Sequence, residues 1–393
     1  MIRKILHLDL DAFFCAVEEQ RDPSLVGQPF AVGGRPDQRG VVASCSYPAR
    51  TFGIHSAMPM ARAVRLCPQL IVVPSRHQAY STVSKQVMAQ LHSMTPLVEQ
   101  LSIDEAFLDV TDLPDPAEQL ARQLQVTILD KLALPNSLGV ATNKLVAKIA
   151  NNVGKASALK GRTPNAITVV PAGHEAAFLA PLPVSELWGV GPKTAESLVR
   201  LGLHTIGDIA RQPEKDLVRR FGKHGLDLAR RAKGIDDRPV ETEHEAKSIS
   251  QETTFAQDVT DREKLRITLR RQSEQVGRRM RKAELFGSTV RLKIRWADFT
   301  TLTRQVTLTQ PTQLDNEIYE HVLHLFDTVW PDGKRVRLIG VGVSNFDAPA
   351  RQLELWGNNN EADQRLQDTL DTLRDRFGNQ AIRRGNQLKK RRS

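Results

Sequence analysis

The spacing of hydrophobic residues predicts one order of elements, strand-helix-strand-strand-helix-strand, twice in this chain, and this repeated order limits its possible folds most strongly. In such a unit a four-stranded sheet carries its helices on one side, and the first strand lies beside the central hairpin. The predicted elements of the first unit are strands at 4–10, 97–102, 106–110 and 137–142, and helices at 12–20, 78–94 and 116–132. The pattern predicts an α+β fold.

A second unit of the same order follows in the last third of the chain. Its predicted elements are strands near 248–255, 288–296, 301–309 and 335–345, and helices at 261–284 and 314–330. With 393 residues the chain is too long for one compact core, and a prior of about 150 residues per domain predicts two to four domains.

Three further segments separate these two units. Residues 21–75 contain short strands and a helix, which predicts a small insertion into the first unit. Residues 182–232 begin with a helix, a glycine turn and a second helix; Gly189 and Gly191 can present backbone N–H groups to an anion there. The polar stretch 236–246 is typical of a linker.

Three acidic residues form the clearest candidate site. Asp9 ends a strand in which Leu6, Leu8 and Leu10 alternate with polar and apolar neighbours, which predicts a half-buried strand. Asp104 and Glu105 lie between two short strands, where a solvated hairpin turn is the simplest alternative. The predicted topology places the first strand beside this hairpin and so brings the three carboxylates together.

Carboxylate oxygens are the ligands that Mg²⁺ prefers, and through Mg²⁺ they can bind substrate phosphates. The sequence therefore predicts a magnesium site formed by Asp9, Asp104 and Glu105. Asp11 precedes a helical run, and we interpret it as a structural N-cap.

Charge and composition restrict the partners. A formal net charge of +10 and a pI near 9.6 indicate a polyanionic partner, with nucleic acid first and an acidic membrane surface second. The sequence has no apolar run long enough to span a bilayer and no signal-peptide core at its start, which predicts a cytoplasmic protein without membrane association. Cys15, Cys45 and Cys67 lack disulfide or zinc spacing, so we expect them reduced and partly buried.

One predicted strand of the second unit has a basic face. Arg291, Lys293 and Arg295 alternate with apolar residues, and Arg304 on the next strand continues the positive charge. Ordinary solvation of a sheet face is the alternative, but the uniform sign favours a surface that follows phosphates.

The tail contains two further features. The segment 352–356 is an isolated apolar peptide, typical of a docking motif. After it, Leu366, Leu370, Leu373 and Phe377 recur at helical spacing and predict a small packing face rather than a partner zipper.

Four motifs, in this order, resemble those of the Y-family translesion DNA polymerases. They are Leu8-Asp-Leu-Asp-Ala-Phe-Phe14, Ser46-Tyr-Pro-Ala-Arg50, Ser102-Ile-Asp-Glu-Ala-Phe107 and Gly189-Val-Gly-Pro-Lys193. The likeness covers roughly residues 1–356, and the joint presence of the motifs makes it specific where any one would be weak.

The resemblance implies a right-hand polymerase with two ferredoxin-like domains. The implied domains are a catalytic palm at 1–20 and 76–165, small fingers at 21–75, a helical thumb with a helix-hairpin-helix at 166–235, a linker at 236–247, a little finger at 248–347 and a tail at 348–393.

The resemblance also assigns site residues. Two Mg²⁺ ions are implied at Asp9, Asp104, Glu105 and the backbone carbonyl of Leu10. The nucleotide-binding positions are Phe13, Phe14, Ser44, Tyr47, Arg50 and Lys155; Phe14 matches the steric gate that excludes ribonucleotides, and Phe13 beside it is expected to pack in the core. The family's lysine-proline motif is altered here to Lys155-Ala-Ser-Ala-Leu-Lys160, so Lys155 is assigned by position and Lys160 stays open.

DNA and protein contacts are implied as well. The glycine turn and the basic strand predict DNA contacts at Gly189, Gly191, Lys193, Arg291, Lys293, Arg295 and Arg304. By resemblance, Gln352, Leu353, Leu355 and Trp356 match a sliding-clamp peptide, with Trp in place of the usual Phe. These assignments imply a monomeric, DNA-templated DNA polymerase that extends a primer with dNTPs at low fidelity during damage tolerance and repair.

Two other functions are alternatives to DNA synthesis. A nucleotidyl cyclase can use a similar acidic sheet, but it would not require the thumb-like hairpin unit or the second basic domain. A non-enzymatic DNA-binding scaffold predicts the loss of a metal ligand, whereas all the expected carboxylates are present in the sequence.

Overall fold

The computed structural model describes residues 2–158, 160–243, 245–347 and 360–378. The chain divides into two compact units, Met1–His244 and Glu245–Ser393. Both combine helices with sheets, as the hydrophobic spacing predicts, and the first unit adds a helical region after its sheet.

A five-stranded sheet forms the centre of the first unit. Its strand order is β5-β6-β1-β7-β8, so β1 lies between the hairpin strand β6 and β7. The predicted four-stranded sheet thus gains an edge strand, β8, which pairs in parallel with β7. The strands are β1 Ile5–Leu10, β5 Val98–Gln100, β6 Glu105–Asp109, β7 Asn136–Ala141 and β8 Ile167–Val169.

Helices cover this sheet on both faces, which corrects the one-sided arrangement predicted from the sequence. One core contains Leu6, Leu8 and Leu10 with α1 Phe13–Arg21, α4 His77–Met94 and α5 Ala117–Leu132. A second core contains Ile5, and α6 Lys144–Ala156 packs there. The prediction of a half-buried β1 is therefore wrong, since every residue of β1 except Asp9 is buried.

The close approach of α6 to the sheet depends on a glycine. A Cβ atom added at Gly139 in β7 would lie 1.9 Å from the carbonyl oxygen of Ala147. Because any larger side chain would push α6 away, Gly139 fixes the distance between this helix and β1.

The predicted insertion contains a small three-stranded sheet, with β2 between β3 and β4. Its strands are β2 Phe30–Gly33, β3 Val42–Cys45 and β4 Ile71–Pro74, and its helices are α2 Tyr47–Arg50 and α3 Met60–Leu66. Its core contains Cys45 and Cys67, and all three cysteines of the chain are free and buried, as expected.

Short helices follow β8 along the chain. They are α7 Glu175–Leu179, α8 Pro192–Arg200, α9 Ile206–Ala210, α10 Glu214–Phe221 and α11 Lys223–Ala232. Before α8 a 3-10 turn and Gly189 form the predicted hairpin; Gly189 has a φ of 99°. The Arg231 guanidinium donates a hydrogen bond of 3.2 Å to the Trp188 carbonyl and so supports this turn.

The first part of the predicted linker is fixed to the sheet unit. The Asp236 carboxylate accepts a hydrogen bond from the Leu145 backbone N–H at 3.0 Å. Glu99, which forms a buried 2.7 Å ion pair with Lys144, accepts another from the Glu241 N–H at 2.8 Å. These contacts hold residues 236–241 against α6 and β5.

The second unit has the predicted four-stranded sheet, in the order β11-β10-β12-β9. Its strands are β9 Ser248–Val259, β10 Phe286–Trp296, β11 Thr301–Thr312 and β12 Val336–Asp347, and its helices are α12 Arg262–Lys282, α13 Asp315–Val329 and α14 Asn360–Phe377. The second unit has its own core, which consists of buried residues from β9, β10, β12, α12 and α13. Partly buried residues of β11 pack against this core.

The last helix, α14, packs on α12 through polar side chains. Gln367 is buried, and Asp371 accepts a 2.7 Å hydrogen bond from Arg281. The predicted apolar packing face is only partly covered, since Leu366 and Phe377 are 50% and 62% exposed. Among the helices that the structure describes, none is long and apolar enough to cross a membrane.

Candidate active site

Strand pairing brings the three predicted acids to one place. Asp9 in β1 is the direct antiparallel partner of Glu105 in β6. Just beyond this pair, the Leu10 N–H donates a 3.0 Å hydrogen bond to the Asp104 carbonyl. The Ser102 hydroxyl donates to the Asp104 carboxylate at 2.5 Å and accepts from the Glu105 N–H at 3.2 Å, which shapes the turn. The sequence correctly predicts this convergence.

Two lysines from α6 contact the paired acids. Lys155 Nζ lies 2.6 Å from Asp9 Oδ1, and Lys148 Nζ lies 2.5 Å from Glu105 Oε2. Asp9 and Glu105 keep 25% and 23% of their side chains exposed, so both can still reach a ligand.

The two carboxyl groups have opposite electrostatic environments. Burial raises the pKa of Asp9 above its usual range, although Lys155 opposes this effect. Burial acts in the same direction on Glu105, but hydrogen bonds from His7 and Lys148 outweigh it and lower the pKa of Glu105 to about 2. Glu105 is therefore an anion throughout the physiological pH range.

His7 is a buried neighbour of Glu105 that the sequence alone did not single out. Its Nε2 lies 3.3 Å from Glu105 Oε2, and its Nδ1 lies 3.0 Å from the Asn151 side-chain nitrogen. Burial lowers the pKa of His7. The ring is thus a neutral group between a helix amide and a candidate metal ligand.

Asp11 has a different structural role from the predicted N-cap. The N-cap of α1 is Ala12, which has a left-handed conformation and no side-chain cap. The buried Asp11 carboxylate instead accepts hydrogen bonds from the Ser137 hydroxyl at 2.9 Å and the Asn165 N–H at 3.1 Å, and it pairs with Lys155 at 3.0 Å. It therefore connects β1 to β7 and to the loop that precedes β8.

Of the predicted triphosphate residues of the fingers, Tyr47 lies beside the acidic residues of β1. Tyr47 hydrogen-bonds to Asp11, and burial raises the pKa of the Tyr47 hydroxyl. The Arg50 guanidinium lies over the Tyr47 ring, 4.4 Å from its centre. Ser44 is nearly buried, where it accepts a 3.6 Å contact from the Cys15 thiol. Tyr47 thus reaches the acidic site directly.

Phe13 lies in the core, as expected, and Phe14 beside it is only half-buried. Phe13 is 2% exposed and belongs to the sheet core. Phe14 is half-buried and stacks on Tyr80 with ring centres 4.2 Å apart. The Tyr80 hydroxyl donates a 2.6 Å hydrogen bond to buried Glu18, which also pairs with Arg76. This network fixes the ring on which Phe14 rests.

The acidic cluster has the donor chemistry of a magnesium site, but its acids contact lysines. Within the described ranges, no three His, Cys, Asp or Glu side chains are gathered closely enough to hold a metal ion. An ammonium group and a divalent cation compete for the same carboxylate oxygens. Asp9 and Glu105 are strand partners and Asp104 adjoins them, and such an all-carboxylate set is the donor type that hard cations prefer.

The predicted basic face of the second unit is present on one strand only. Arg291, Lys293 and Arg295 alternate with buried neighbours along β10. Lys293 pairs with Glu252 at 2.9 Å, which reduces the positive charge of the face. Arg304 is paired with Leu292, so its side chain lies on the opposite face of the sheet. The prediction that Arg304 belongs to the basic face is wrong, because the pairing register of a strand determines on which face of the sheet each side chain lies.

Sequence reasoning missed His7, Lys148 and Asn151 as neighbours of the acids. Lys148, Asn151 and Lys155 share one face of α6, since they are separated by three and four residues. That spacing was visible in the sequence, but the side of the sheet on which α6 packs was not. The predicted docking peptide, Gln352 to Trp356, lies outside the described residues.

Comparisons with known proteins agree with this arrangement. Models of the impB/mucB/samB family match residues 8–152, its C-terminal domain matches 246–355, and the IMS family HHH motif matches 173–203. The DNA polymerase IV of Dehalococcoides mccartyi (strain CBDB1) is 41% identical over 388 residues, which is 98% of this chain and 97% of that protein.

Solved structures give the same result. A Y-family DNA polymerase chimera of Dbh and Dpo4 has a TM-score of 0.77 at 27% identity and covers 87% of this chain and 99% of its own. An insertion ternary complex of Dbh DNA polymerase has a TM-score of 0.63 at 27% identity, again over 87% of this chain and 99% of its own. From these matches and the motifs in order, the chain belongs to the impB/mucB/samB family of Y-family DNA polymerases.

Proposed function

We propose that this chain, a DNA-directed DNA polymerase of translesion synthesis, binds its catalytic metal ions through Asp9, Asp104, Glu105 and the Leu10 carbonyl. The observation that carries the proposal is the strand pairing of Asp9 with Glu105 beside the Asp104 turn. Polymerases of this family depend on divalent metal ions, and the all-oxygen donor set favours Mg²⁺. That two such ions bind is part of the proposal and follows from the resemblance.

Bound Mg²⁺ would lower the pKa of the primer 3′-hydroxyl and neutralise charge on the triphosphate and the leaving pyrophosphate. The protein side chains supply position and charge. Glu105, ionised at physiological pH, offers a full negative charge to a cation. Neutral amides at these positions would bind a hard cation far more weakly.

Three side chains orient the incoming dNTP in this proposal. Tyr47 hydrogen-bonds to Asp11, Arg50 lies over the Tyr47 ring, and Lys155 reaches the acids from α6. A guanidinium and an ammonium both suit phosphate oxygens. Lys155 is favoured over Lys160 because its ammonium already lies among the acids, whereas Lys160 is an exposed residue of the following turn.

Phe14 is the proposed steric gate against ribonucleotides. It is only half-buried, so one part of the ring remains available to a sugar, and Tyr80 supports the other part. Phe13 contributes to nucleotide binding indirectly, because it belongs to the core against which Phe14 packs.

Template and primer are held by two basic surfaces in the proposal. The turn at Gly189 and Gly191 precedes the N-terminus of α8, where Lys193 and open backbone N–H groups suit a DNA phosphate. In the second unit, Arg291, Lys293 and Arg295 form the phosphate-binding face on β10. We also propose that the protein acts as a monomer.

The experiment that tests the activity measures product with and without primer-template. A radiolabelled dNTP and Mg²⁺ should give an extended primer only when primer-template is present. Formation of a cyclic nucleotide without DNA supports the nucleotidyl cyclase alternative, and DNA binding without any product supports a non-enzymatic scaffold. The small fingers unit predicts frequent misincorporation when dNTPs are supplied one at a time.

We further propose that the peptide Gln352, Leu353, Leu355 and Trp356 binds a sliding clamp. Tethering would raise the local concentration of a weakly processive enzyme at the primer end. Deletion of residues 352–356 should abolish stimulation by the clamp and leave clamp-free synthesis unchanged. Stimulation that survives the deletion contradicts the assignment.

A further inference from the structure

We propose that His7 is a positioning residue that orients the Glu105 carboxylate, and that Asn151 fixes the ring tautomer this requires. His7 and Asn151 are 0% and 1% exposed, so solvent does not satisfy their polar atoms. The proposal deepens the assigned metal site and rests on Glu105 being one of its ligands.

The orientation of the Asn151 side-chain amide determines the tautomer of His7. Its side-chain nitrogen lies 3.1 Å from the His7 carbonyl oxygen, 3.0 Å from the Ser137 carbonyl oxygen and 3.0 Å from His7 Nδ1. Carbonyl oxygens only accept hydrogen bonds. A flipped amide would direct its own oxygen at both carbonyls, so the nitrogen must face them.

The His7 tautomer follows from this orientation. The Asn151 amide has two hydrogens for three acceptors, so the two carbonyl oxygens and Nδ1 share them. Because the amide nitrogen cannot accept, a proton on Nδ1 would face a donor; Nδ1 is therefore the acceptor, and a neutral imidazole carries its proton on Nε2. That Nε2 lies 3.3 Å from Glu105 Oε2 and can donate to it.

Lys148 does not offer a better alternative partner for Nε2. Its Nζ is 3.5 Å from His7 Nε2 but 2.5 Å from Glu105 Oε2. Were Lys148 to donate to Nε2, the ring proton would move to Nδ1 and point at the Asn151 nitrogen, donor against donor. The two donors, His7 and Lys148, therefore converge on one carboxylate oxygen.

Neighbouring residues hold the His7 ring in place. The Phe107 ring packs against His7 with centres 4.8 Å apart. Gly139 allows α6 to approach closely enough for the Asn151 contacts. With Oε2 held by two donors, Glu105 Oε1 is left to face a cation in a fixed direction. Hydrogen bonds of this kind to metal ligands are worth about 10–100-fold in metal affinity or activity.

The test uses the full chain with Mn²⁺ as the probe. His7→Leu removes the donor and should weaken Mn²⁺ binding, measured by electron paramagnetic resonance, and slow primer extension, each by roughly 10–100-fold. His7→Gln keeps an N–H donor and should recover most of both losses. Asn151→Leu should lower Mn²⁺ affinity in the same direction by a smaller factor.

The chain offers a matched control at Asn136. This buried asparagine also donates to two backbone carbonyls, those of Gln125 and Leu134, but it does not contact His7. Asn136→Leu should therefore share any general cost to folding while leaving Mn²⁺ affinity and the His7 signals as in the parent.

A spectrum of the unaltered protein gives an answer that does not depend on variants folding. Long-range ¹H–¹⁵N spectra, with the His7 signals assigned by their loss in His7→Leu or by sequential connectivity, should show a proton on Nε2 and none on Nδ1. The opposite tautomer, or Mn²⁺ affinity within twofold of the parent in His7→Leu, overturns the proposal. If the parent binds no Mn²⁺ at all, the metal assignment fails instead.

Discussion

Asp9 and Glu105 show how single residues acquire different properties in one site. They are strand partners, yet burial raises the pKa of Asp9, whereas the donors His7 and Lys148 outweigh burial and lower that of Glu105. The residue types were predictable from the motif. The donors were not, because they come from a residue two positions before Asp9 in β1 and from α6.

Phe14 gives a first prediction at this scale. Phe14→Ala should open space for a 2′-hydroxyl, so discrimination against ribonucleotides should fall by roughly 100-fold, since shape alone provides it. Single-nucleotide incorporation of dNTP and NTP measures the ratio. Phe299→Ala, an exposed aromatic residue of the second unit, is the control and should leave the ratio unchanged. An unchanged ratio in Phe14→Ala places the gate elsewhere.

Lys155 and Lys160 give a second prediction, which separates the two candidates that the altered motif left open. Loss of a charged hydrogen bond to the triphosphate should raise KM for dNTP by about tenfold or more in Lys155→Ala. Lys160→Ala should change KM by less than about twofold, as for an exposed charge. Steady-state incorporation kinetics decide, and the reverse ranking would transfer the role to Lys160.

At the scale of elements, the sequence predicts well where periodicity is long and poorly where it is short. The long strands β9, β10, β11 and β12 follow from alternation, whereas β4 and β8 are short and were not predicted. The burial of β1 was mispredicted because α6 covers its second face. Arg304 was misplaced for a related reason, since only the register with β10 shows its face.

The contact between α12 and α14 gives a third prediction. Arg281 is 6% exposed and pairs with buried Asp315 at 2.9 Å and with Asp371 at 2.7 Å. Arg281→Met removes one partner of this buried ion pair, so the second unit should lose about 3–5 kcal/mol of unfolding free energy. Chemical denaturation measures this loss.

The partners of Arg281 separate two effects. Asp371→Asn breaks only the contact to α14, so hydrogen exchange should increase within 365–377 while the rest of the second unit stays protected. Equal destabilisation by Asp371→Asn and Arg281→Met would show that Asp315 does not depend on Arg281.

At the scale of the whole molecule, the excess of 55 Lys and Arg over 45 Asp and Glu fits a polyanionic partner. Net charge indicated nucleic acid but could not say which residues meet it. The alternation on β10 identifies three candidates, and the strand register removes Arg304 from the same face.

Salt dependence gives the fourth prediction. If Arg291 and Arg295 each neutralise a phosphate, replacing both by Gln should reduce the slope of log K against log salt by about 1.8, at 0.9 per contact. Fluorescence anisotropy with a primer-template duplex measures the slope. Arg304→Gln is the matched control on the opposite face and should leave the slope as it is; equal effects of both variants contradict the assignment.

The measurement that tests the central claim most directly is Mg²⁺-dependent primer extension by Asp104→Asn beside a DNA-binding assay on the same protein. The substitution keeps the shape of the side chain and its place next to the Ser102 hydroxyl but removes the charge. The account predicts that nucleotide incorporation is lost while primer-template affinity stays at the parent value. Incorporation that persists at the parent rate would contradict the assignment of these carboxylates to metal-dependent synthesis.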